Sequence, residues 1–193
     1  NATTDGTGLS QRETLRMAKD ILSALDGIHG RDIVHRDIKP ANIFLCKDEQ
    51  TGVTRYKLGD FGLAFEMQNE ETQVLNSLQT ATVGVDGTPH YMSPQQVRGT
   101  HALTPQSDLW SMAVTMYHSI SGALPFGDAQ THPMEVRMRV ARHGESPSVL
   151  NLNERTQGKA SSVFASIVEK GMAFRPEDRY ASAADMLDAV RDA

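Results

Sequence analysis

The chain has 193 residues, of which 39% are hydrophobic and 22% charged, and its formal net charge is −5. This length suits one domain or part of a larger one, and the composition is that of a soluble globular protein. A mildly acidic chain with scattered lysines and arginines lacks the basic patch that nucleic-acid binding requires. The single cysteine, Cys46, excludes an internal disulfide, and no apolar run reaches the roughly 18 residues of a membrane helix.

The first nine residues, NATTDGTGL, are small and polar, and we interpret them as a linker. Gly6 and Gly8 have the spacing that begins a phosphate-binding GxGxxG loop, but Gln11 stands at the third glycine position and no strand precedes it. No signal peptide is visible, and because the chain begins at Asn1 rather than Met we expect a fragment or a processed chain.

A helix is predicted next, because Ser10 followed by Glu13 is a capping-box pattern and Gly30 is a typical helix end. Between them, apolar residues repeat at helical spacing and form a stripe that we expect in the core: Leu15, Ala18, Ile21, Leu22, Leu25 and Ile28.

Two short strands are predicted to form a hairpin, NIFLC (42–46) and TRYKL (54–58), with KDEQTG as the turn between them. The hairpin should bring Asn42, at the start of one strand, near Asp60, just after the other. Residues 63–87 are polar without a sustained period and are predicted to be a long loop, which is usually functional or disordered.

From Pro105 onward the sequence is predicted to be helical. The first segment, SDLWSMAVTMYHSISG, is apolar on all sides and should be buried, with Gly122 and Pro125 ending it. Three further segments carry apolar stripes: PMEVRMRVARHG (133–144), ASSVFASIVEKGMA (160–173) and SAADMLDAVRDA (182–193).

A carboxylate, a lysine and an amide lie within six positions in HRDIKPAN, as Asp37, Lys39 and Asn42. A carboxylate can orient or deprotonate a hydroxyl, and a lysine can neutralise a phosphoryl oxygen. The Asn42 amide oxygen and the Asp60 carboxylate are hard donors of the kind that Mg²⁺ prefers. Together these groups predict phosphoryl transfer, in which positioning and charge stabilisation supply most of the catalysis.

The same residues resemble the protein kinase family, whose signatures include H-R-D-L-x-x-x-N followed by D-F-G. The chain has HRDIKPAN (35–42), DFG (60–62), GTPHYMSPQQ (87–96), SDLWSMAV (107–114) and RPEDR (175–179), in the family's order. The resemblance runs from about Ser10 to the end of the chain. The sequence of the GTPHYMSPQQ segment is most similar to that of bacterial, eukaryotic-type serine/threonine kinases.

This resemblance implies an α+β fold, mainly α, in which a helical C-terminal lobe carries a short β-hairpin with the catalytic and metal-binding loops. Residues 1–9 would be the linker from an N-terminal lobe and residues 10–193 the C-terminal lobe. It also implies ATP and Mg²⁺ as cofactors, proteins with Ser/Thr acceptors as substrates and a cytoplasmic kinase domain. Nothing in the chain resembles the Gly-rich loop or the lysine–glutamate pair of the N-terminal lobe, so we expect that lobe to precede Asn1 and this chain alone to be inactive.

By resemblance, Asp37 orients the acceptor hydroxyl, Lys39 contacts the transferring phosphate, and Asn42 and Asp60 bind Mg²⁺. Phe44 would lie under the adenine ring, although a strand-core role is the alternative. Structural roles are implied for His35, Phe61, Gly62, Gln95, Asp108 and Arg179.

Regulation is implied by Arg36, which can bind a phosphate on the long loop and order it. Thr82, and then Thr80, are the candidate activating sites, although either hydroxyl can equally be only solvated. Thr88 in GTP belongs to the implied substrate-binding segment, and with Lys39 it favours Ser/Thr over Tyr as acceptor.

Two residues depart from the family pattern. Gln95 stands where the family usually has a glutamate that pairs with the arginine matching Arg179, and Ala113 replaces a common glycine in the central helix. Gln95 gives slight support to an alternative, a pseudokinase or scaffold that keeps the fold for binding. A kinase-like small-molecule phosphotransferase is a further alternative, but such enzymes lack the GTPHYMSP segment.

Overall fold

The computed structural model describes residues 8–66, 89–99, 104–142, 152, 156 and 158–193. The described part is α+β and mostly helical. Its helices are α1 (Gln11–His29), α2 (Pro94–Val97), α3 (Pro105–Ser121), α4 (Pro133–Ala141), α5 (Ser162–Gly171) and α6 (Ala183–Arg191). Short 3₁₀ turns span Pro40–Asn42, Pro89–Tyr91 and Pro176–Asp178. Within these ranges, none of the helices has both the length and the apolar character needed to cross a membrane.

Helix α3 forms the centre of the core, as its unusually apolar sequence predicted. Trp110 and Tyr117 are fully buried on it, and the Trp110 ring stacks on Phe126 with 5.8 Å between centroids. Helix α3 ends at Gly122, whose φ of 66° is the left-handed conformation that glycine adopts without cost. Helices α1, α5 and α6 pack around α3. The core therefore consists of helices, and the strands lie at its edge.

Helix α1 begins and ends as predicted, with Ser10 accepting a hydrogen bond from the Glu13 backbone N–H and Gly30 as the C-cap. The Glu13 carboxylate, however, accepts a 2.6 Å hydrogen bond from the Tyr56 hydroxyl. Asp20, two turns further along α1, accepts from the Tyr56 backbone N–H at 2.9 Å. One face of α1 thus holds the second hairpin strand, and with it the loops at the hairpin's end.

Strands β2 (Ile43–Lys47) and β3 (Thr54–Leu58) form the predicted antiparallel hairpin, with Ile43 opposite Leu58. A second, unpredicted pair joins β1 (Ile33–Val34) to β4 (Phe65–Glu66).

The prediction of a continuous loop over 63–87 is therefore wrong at its start, where residues 65 and 66 form β4. The rest of that loop, residues 67–87, lies outside the described residues. So do positions 143 and 144 of the helix that was predicted over 133–144. Helix α2 was also not predicted, because its four residues are too few to show a helical period.

Candidate active site

The candidate catalytic loop, residues 35–42 and hereafter the catalytic loop, lies between β1 and β2 and brings the three predicted polar side chains together. Lys39 Nζ is 2.8 Å from Asp37 Oδ2. Asn42 Nδ2 donates to the same Asp37 oxygen at 2.9 Å and to the Asp37 backbone carbonyl at 2.9 Å. Asn42 is buried, while the side chains of Asp37 and Lys39 are each 18% exposed. The Asp37 carboxylate is therefore oriented by two donors and remains accessible from solvent.

Asp108, at the start of α3, binds the backbone of this loop. It is fully buried, and its two oxygens accept 2.8 Å hydrogen bonds from the backbone N–H groups of His35 and Arg36. A third partner, His29 Nε2, lies 2.9 Å from Asp108 Oδ2. A buried carboxylate needs such partners, and these contacts agree with the structural role that the resemblance implies for Asp108. The contact with His29 was not predicted, because nothing in the sequence marks a histidine at the end of α1 as its partner.

His35 connects the catalytic loop to the DFG segment. Its Nε2 lies 3.2 Å from the Gly59 carbonyl, and its ring centroid is 4.8 Å from that of Phe61. The Gly59 N–H also donates to the Asn42 carbonyl at 2.9 Å. The hairpin therefore brings the residue before Asp60 into direct contact with Asn42, as the sequence predicted.

Asp60 is exposed and has a φ of 60°, in the left-handed region that non-glycine residues seldom occupy. Its Oδ1 accepts a 3.3 Å hydrogen bond from the Gly62 N–H, which closes a tight turn over Phe61. A methyl group at Gly62 would meet that same oxygen at 3.1 Å. A small residue at position 62 is therefore part of how the Asp60 carboxylate is held.

Asn42 and Asp60 are chemically suited to Mg²⁺. The Asn42 amide turns its nitrogen toward Asp37, so its oxygen Oδ1 is the atom that remains for a hard cation. Two protein oxygens are a common set for Mg²⁺, which keeps several waters and takes other ligands from substrate phosphates. In the part of the chain that the structure describes, no group of three or more His, Cys, Asp or Glu residues could hold a metal by itself.

Phe44 is 51% exposed, which excludes the alternative that it is simply part of the strand core. Its ring covers Gly59 so closely that a Cβ at that glycine would lie 2.8 Å from Phe44 Cε2. Gly59 therefore lets the ring lie flat against the end of β3. A flat apolar surface beside Asn42 is suited to a planar, aromatic ligand.

The end of the GTPHYMSPQQ segment begins α2 and contacts the catalytic loop. Ser93 caps α2 and Gln96 completes a capping box with it. The Gln96 side chain also donates from Nε2 to the Arg36 carbonyl at 2.8 Å. The S-x-x-Q spacing in the sequence could have shown the capping box, but no sequence signal indicates the contact with Arg36.

Arg36 has a φ of 70°, and its guanidinium is half-buried beside Asp108. Burial lowers the pKa of Arg36, and the negative charge of Asp108 partly offsets this effect. The candidate phosphorylation sites Thr80 and Thr82, and the substrate-binding Thr88, lie outside the described residues.

Gln95 and Arg179 meet as the resemblance implied for the matching pair. Arg179 Nη2 donates to Gln95 Oε1 at 2.9 Å, and Arg179 is only 4% exposed. The guanidinium also donates hydrogen bonds to three backbone carbonyls, those of Ala173, Phe174 and Gln106.

Comparison with known proteins assigns the family. The sequence model of the protein kinase domain matches residues 1–190, nearly the whole chain. The chain therefore belongs to the protein kinase family, as its motifs predicted.

Its relatives include bacterial serine/threonine kinases. The serine/threonine-protein kinase PknB of Mycolicibacterium smegmatis is 32% identical over 190 residues, which is 97% of this chain and 27% of that protein. The probable serine/threonine-protein kinase PknB of Lactococcus lactis is 32% identical over 184 residues, 94% of this chain and 26% of that protein. The serine/threonine-protein kinase Pkn1 of Myxococcus xanthus is 31% identical over 190 residues, 96% of this chain and 25% of that protein. The chain thus spans about a quarter of the length of these relatives.

Proposed function

We propose that this chain is the C-terminal lobe of an ATP-dependent serine/threonine protein kinase. The observation that carries this proposal is the Asp37 carboxylate, which is oriented at 2.8 Å by Lys39 and at 2.9 Å by Asn42. Asp108 fixes the backbone that presents it. A carboxylate that is 18% exposed, with a lysine and an amide beside it, is suited to receive a hydroxyl and a phosphoryl group together.

In the proposed reaction, the hydroxyl oxygen of a substrate Ser or Thr bonds to the γ-phosphorus of ATP. The bond from that phosphorus to the bridging oxygen of ADP breaks, and ADP leaves. Asp37 accepts the hydroxyl proton, and Lys39 carries positive charge next to the transferring group. The 2.8 Å contact between Asp37 and Lys39 keeps the carboxylate and the ammonium group next to each other at the site of transfer.

Asn42 and Asp60 are the residues that would hold Mg²⁺, and Phe44 would lie against the adenine. When bound, Mg²⁺ supplies positive charge to the phosphate oxygens. The contacts of His35 with Gly59 and Phe61 keep the segment that carries Asp60 against the catalytic loop.

The proposed partner of this lobe is an N-terminal kinase lobe, which residues 1–9 would join to residues 10–193. The supporting observation is exposed apolar surface beside the site. Phe44, which covers Gly59, and Phe61, which contacts His35, are each about half exposed, as are Leu45 and Leu63 nearby in the chain. Exposed large apolar residues grouped in this way indicate an interaction surface. Without the Gly-rich loop and the lysine–glutamate pair the nucleotide site is half built, so we infer that this chain alone does not transfer phosphate.

Arg36 is the proposed receptor for a phosphate on Thr82 or Thr80, and Thr88 would lie in the segment that binds the acceptor. A half-buried guanidinium whose pKa is lowered by burial would be stabilised by a phosphate at close range. The substrates are proteins with Ser or Thr acceptors, and a cytoplasmic location fits the ATP requirement.

The proposal is tested by intact-mass measurement of phosphate incorporation with Mg²⁺-ATP and a generic acceptor protein. Four proteins are compared: the full-length protein, its Asp37→Asn and Asp48→Asn variants, and the 193-residue chain alone. Asp48 is exposed in the hairpin turn, so Asp48→Asn makes the same change of charge away from the site. We expect phosphate only in the full-length protein and in Asp48→Asn. No incorporation in the full-length protein would favour the scaffold function instead.

A further inference from the structure

The Gln96 side chain makes two hydrogen bonds, one as an acceptor and one as a donor. Its Oε1 accepts from the Ser93 backbone N–H at 2.9 Å, and its Nε2 donates to the Arg36 backbone carbonyl at 2.8 Å. The first bond belongs to the cap of α2, and the second joins α2 to the residue before Asp37. Gln96 is thus a direct polar link between the segment that follows Thr88 and the catalytic loop.

At neutral pH an amide can make both bonds and an ionised carboxylate cannot, because the carboxylate has no donor. The Ser93 N–H can only donate and the Arg36 carbonyl can only accept, so the amide has one possible orientation. A carboxylate at this position would keep the acceptor for Ser93 but would place a second oxygen against the Arg36 carbonyl. The cap and the link to Arg36 can therefore be separated by a single substitution.

Arg36 is the residue of the catalytic loop that most needs such a link. Its φ of 70° lies in the left-handed region, which is unfavourable for a non-glycine residue and persists only where the surroundings hold it. Asp108 accepts from the Arg36 N–H at 2.8 Å, and Gln96 donates to the Arg36 carbonyl at the same distance. The two side chains hold this unfavourable conformation from both sides.

The Arg36 carbonyl belongs to the peptide bond whose nitrogen is that of Asp37. A displacement of this peptide would shift the Asp37 N–Cα bond and carry the Asp37 side chain away from Lys39 and Asn42, the two groups that orient its carboxylate. A group that fixes the peptide therefore also fixes where the Asp37 carboxylate points.

We propose that Gln96 is a positioning residue, which holds the Arg36–Asp37 peptide and thereby aims the Asp37 carboxylate at the acceptor hydroxyl. The proposal rests on the proposed kinase function. It assigns to Gln96 the role, on the carbonyl side of Arg36, that Asp108 has on the N–H side. Gln96 therefore fixes the position of the segment that would bind the substrate relative to Asp37, the residue that would receive the proton of the substrate hydroxyl.

The test uses the full-length protein and three substitutions. Gln96→Glu keeps the acceptor for Ser93 and loses the donor to Arg36, whereas Gln96→Met loses both. Gln50→Glu is the matched control, because it makes the same chemical change on the exposed hairpin turn. The readouts are kcat, the KM for ATP, and hydrogen–deuterium exchange of the peptide that covers residues 34–38.

For Gln96→Glu and Gln96→Met we expect kcat to fall by about tenfold, the size of effect that loss of one well-placed hydrogen bond produces. The KM for ATP should stay unchanged, since neither bond lies at the proposed nucleotide site. The exchange of residues 34–38 should become faster. The deficit of Gln96→Glu should shrink as the pH is lowered, because the protonated introduced carboxyl can again donate to the Arg36 carbonyl, whereas that of Gln96→Met should not.

A Gln96→Glu variant with the kcat and exchange of Gln50→Glu would overturn the proposal, because the link to Arg36 would then be irrelevant. If Gln96→Met alone had a lowered kcat, while the kcat of Gln96→Glu equalled that of the control, the proposal would also be overturned. The effect would then come from the cap of α2 and not from the bond to Arg36. A full-length protein without any Asp37-dependent transfer would instead overturn the proposed function. In that case the exchange measurement alone decides whether Gln96 holds the loop.

Discussion

Arg179 Nη2 donates a 2.9 Å hydrogen bond to Gln95 Oε1, and this bond joins the start of α2 to the loop before α6. The guanidinium is buried against the Trp110 ring, 5.0 Å from its centroid. Burial lowers the pKa of Arg179 to about 10, with a small opposing effect from Glu177, and the group stays charged at neutral pH. Its side-chain partner in this contact is a neutral amide. A carboxylate of nearly the same shape would keep the acceptor for Arg179 and would lose the longer bond, 3.4 Å, that Gln95 Nε2 donates to the Phe174 carbonyl.

Gln95→Glu should therefore raise the thermal stability of the protein. A carboxylate 2.9 Å from a buried guanidinium replaces a neutral acceptor by a charged one, which we expect to stabilise the fold by about 1 kcal/mol. This corresponds to a Tm increase of about 2–4 °C, measured by calorimetry. Gln50→Glu on the exposed turn should leave Tm nearly unchanged. A Tm for Gln95→Glu at or below that of the wild type would mean that the three backbone carbonyls already satisfy Arg179.

Gly171→Ala should destabilise the protein, although alanine is the better helix former. A Cβ at position 171 would lie 2.7 Å from Ala113 Cβ and 3.3 Å from Met186 Cε, so α5 and α3 would have to move apart. Such overpacking costs about 1–3 kcal/mol, more than the roughly 1 kcal/mol gained in helix propensity.

The double variant Ala113→Gly/Gly171→Ala should recover much of the lost stability. In this variant the glycine lies on α3 and the alanine on α5, so the pair has the same total volume as in the wild type. Urea unfolding of both single variants and the double variant gives the coupling energy between the two positions. Strictly additive effects would show that the two positions do not touch. The result would also explain why Ala113 is tolerated where the family commonly has glycine.

Stability at mildly acidic pH should depend on His118. The Tyr91 hydroxyl lies 2.7 Å from His118 Nδ1, and burial, followed by the nearby His90, lowers the pKa of His118 below 6.5. The folded state therefore favours neutral His118, and its contribution is fully present above pH 6.5. It is lost as the pH falls through the lower folded-state pKa, since the unfolded chain takes up the proton first.

The measurement compares the free energy of unfolding of the wild type and of His118→Gln at about pH 7.5 and about pH 5. Glutamine keeps an acceptor for Tyr91 but does not titrate. The wild type should lose more stability over this interval than His118→Gln. Equal losses would assign the pH dependence to other groups.

Tyr56→Phe should loosen the hairpin from α1. The Tyr56 hydroxyl donates a 2.6 Å hydrogen bond to Glu13, and burial, followed by this bond, raises the pKa of Tyr56 to about 12. Loss of a hydrogen bond to a charged group is expected to cost about 1.5–3 kcal/mol, toward the lower end here because Glu13 is partly exposed.

Urea unfolding at neutral pH of Tyr56→Phe, Glu13→Gln and the double variant isolates this contact. In the wild type, the same contribution should persist up to about pH 10 and disappear as the pH rises through about 12. If Tyr56→Phe unfolded at the wild-type urea concentration, the docking of the hairpin would depend instead on Asp20 and on the hydrogen bond that Arg16 donates to the Thr54 carbonyl.

The sequence predicted the parts of the fold that repeat regularly. The stripe on α1 and the alternation of β3 have periods that a single chain displays, and α3 is marked by an unusually apolar composition. The pair β1–β4 was missed because two-residue strands have no period, and they form only when residues 33–34 and 65–66 are brought together. Helix α2 was missed for the same reason of length.

For the candidate site, the sequence by itself determined which chemical groups are present and in which order: Asp37, Lys39, Asn42 and Asp60 are identified by their types and spacing. Only the tertiary structure decided how they are held. Asp108 and Gln96 reach Arg36 from positions more than fifty residues away along the chain, and His29 reaches Asp108 across the core. Such contacts leave no local pattern, because each depends on where separate helices end once the core has packed, and a sequence records only which residues are neighbours along the chain.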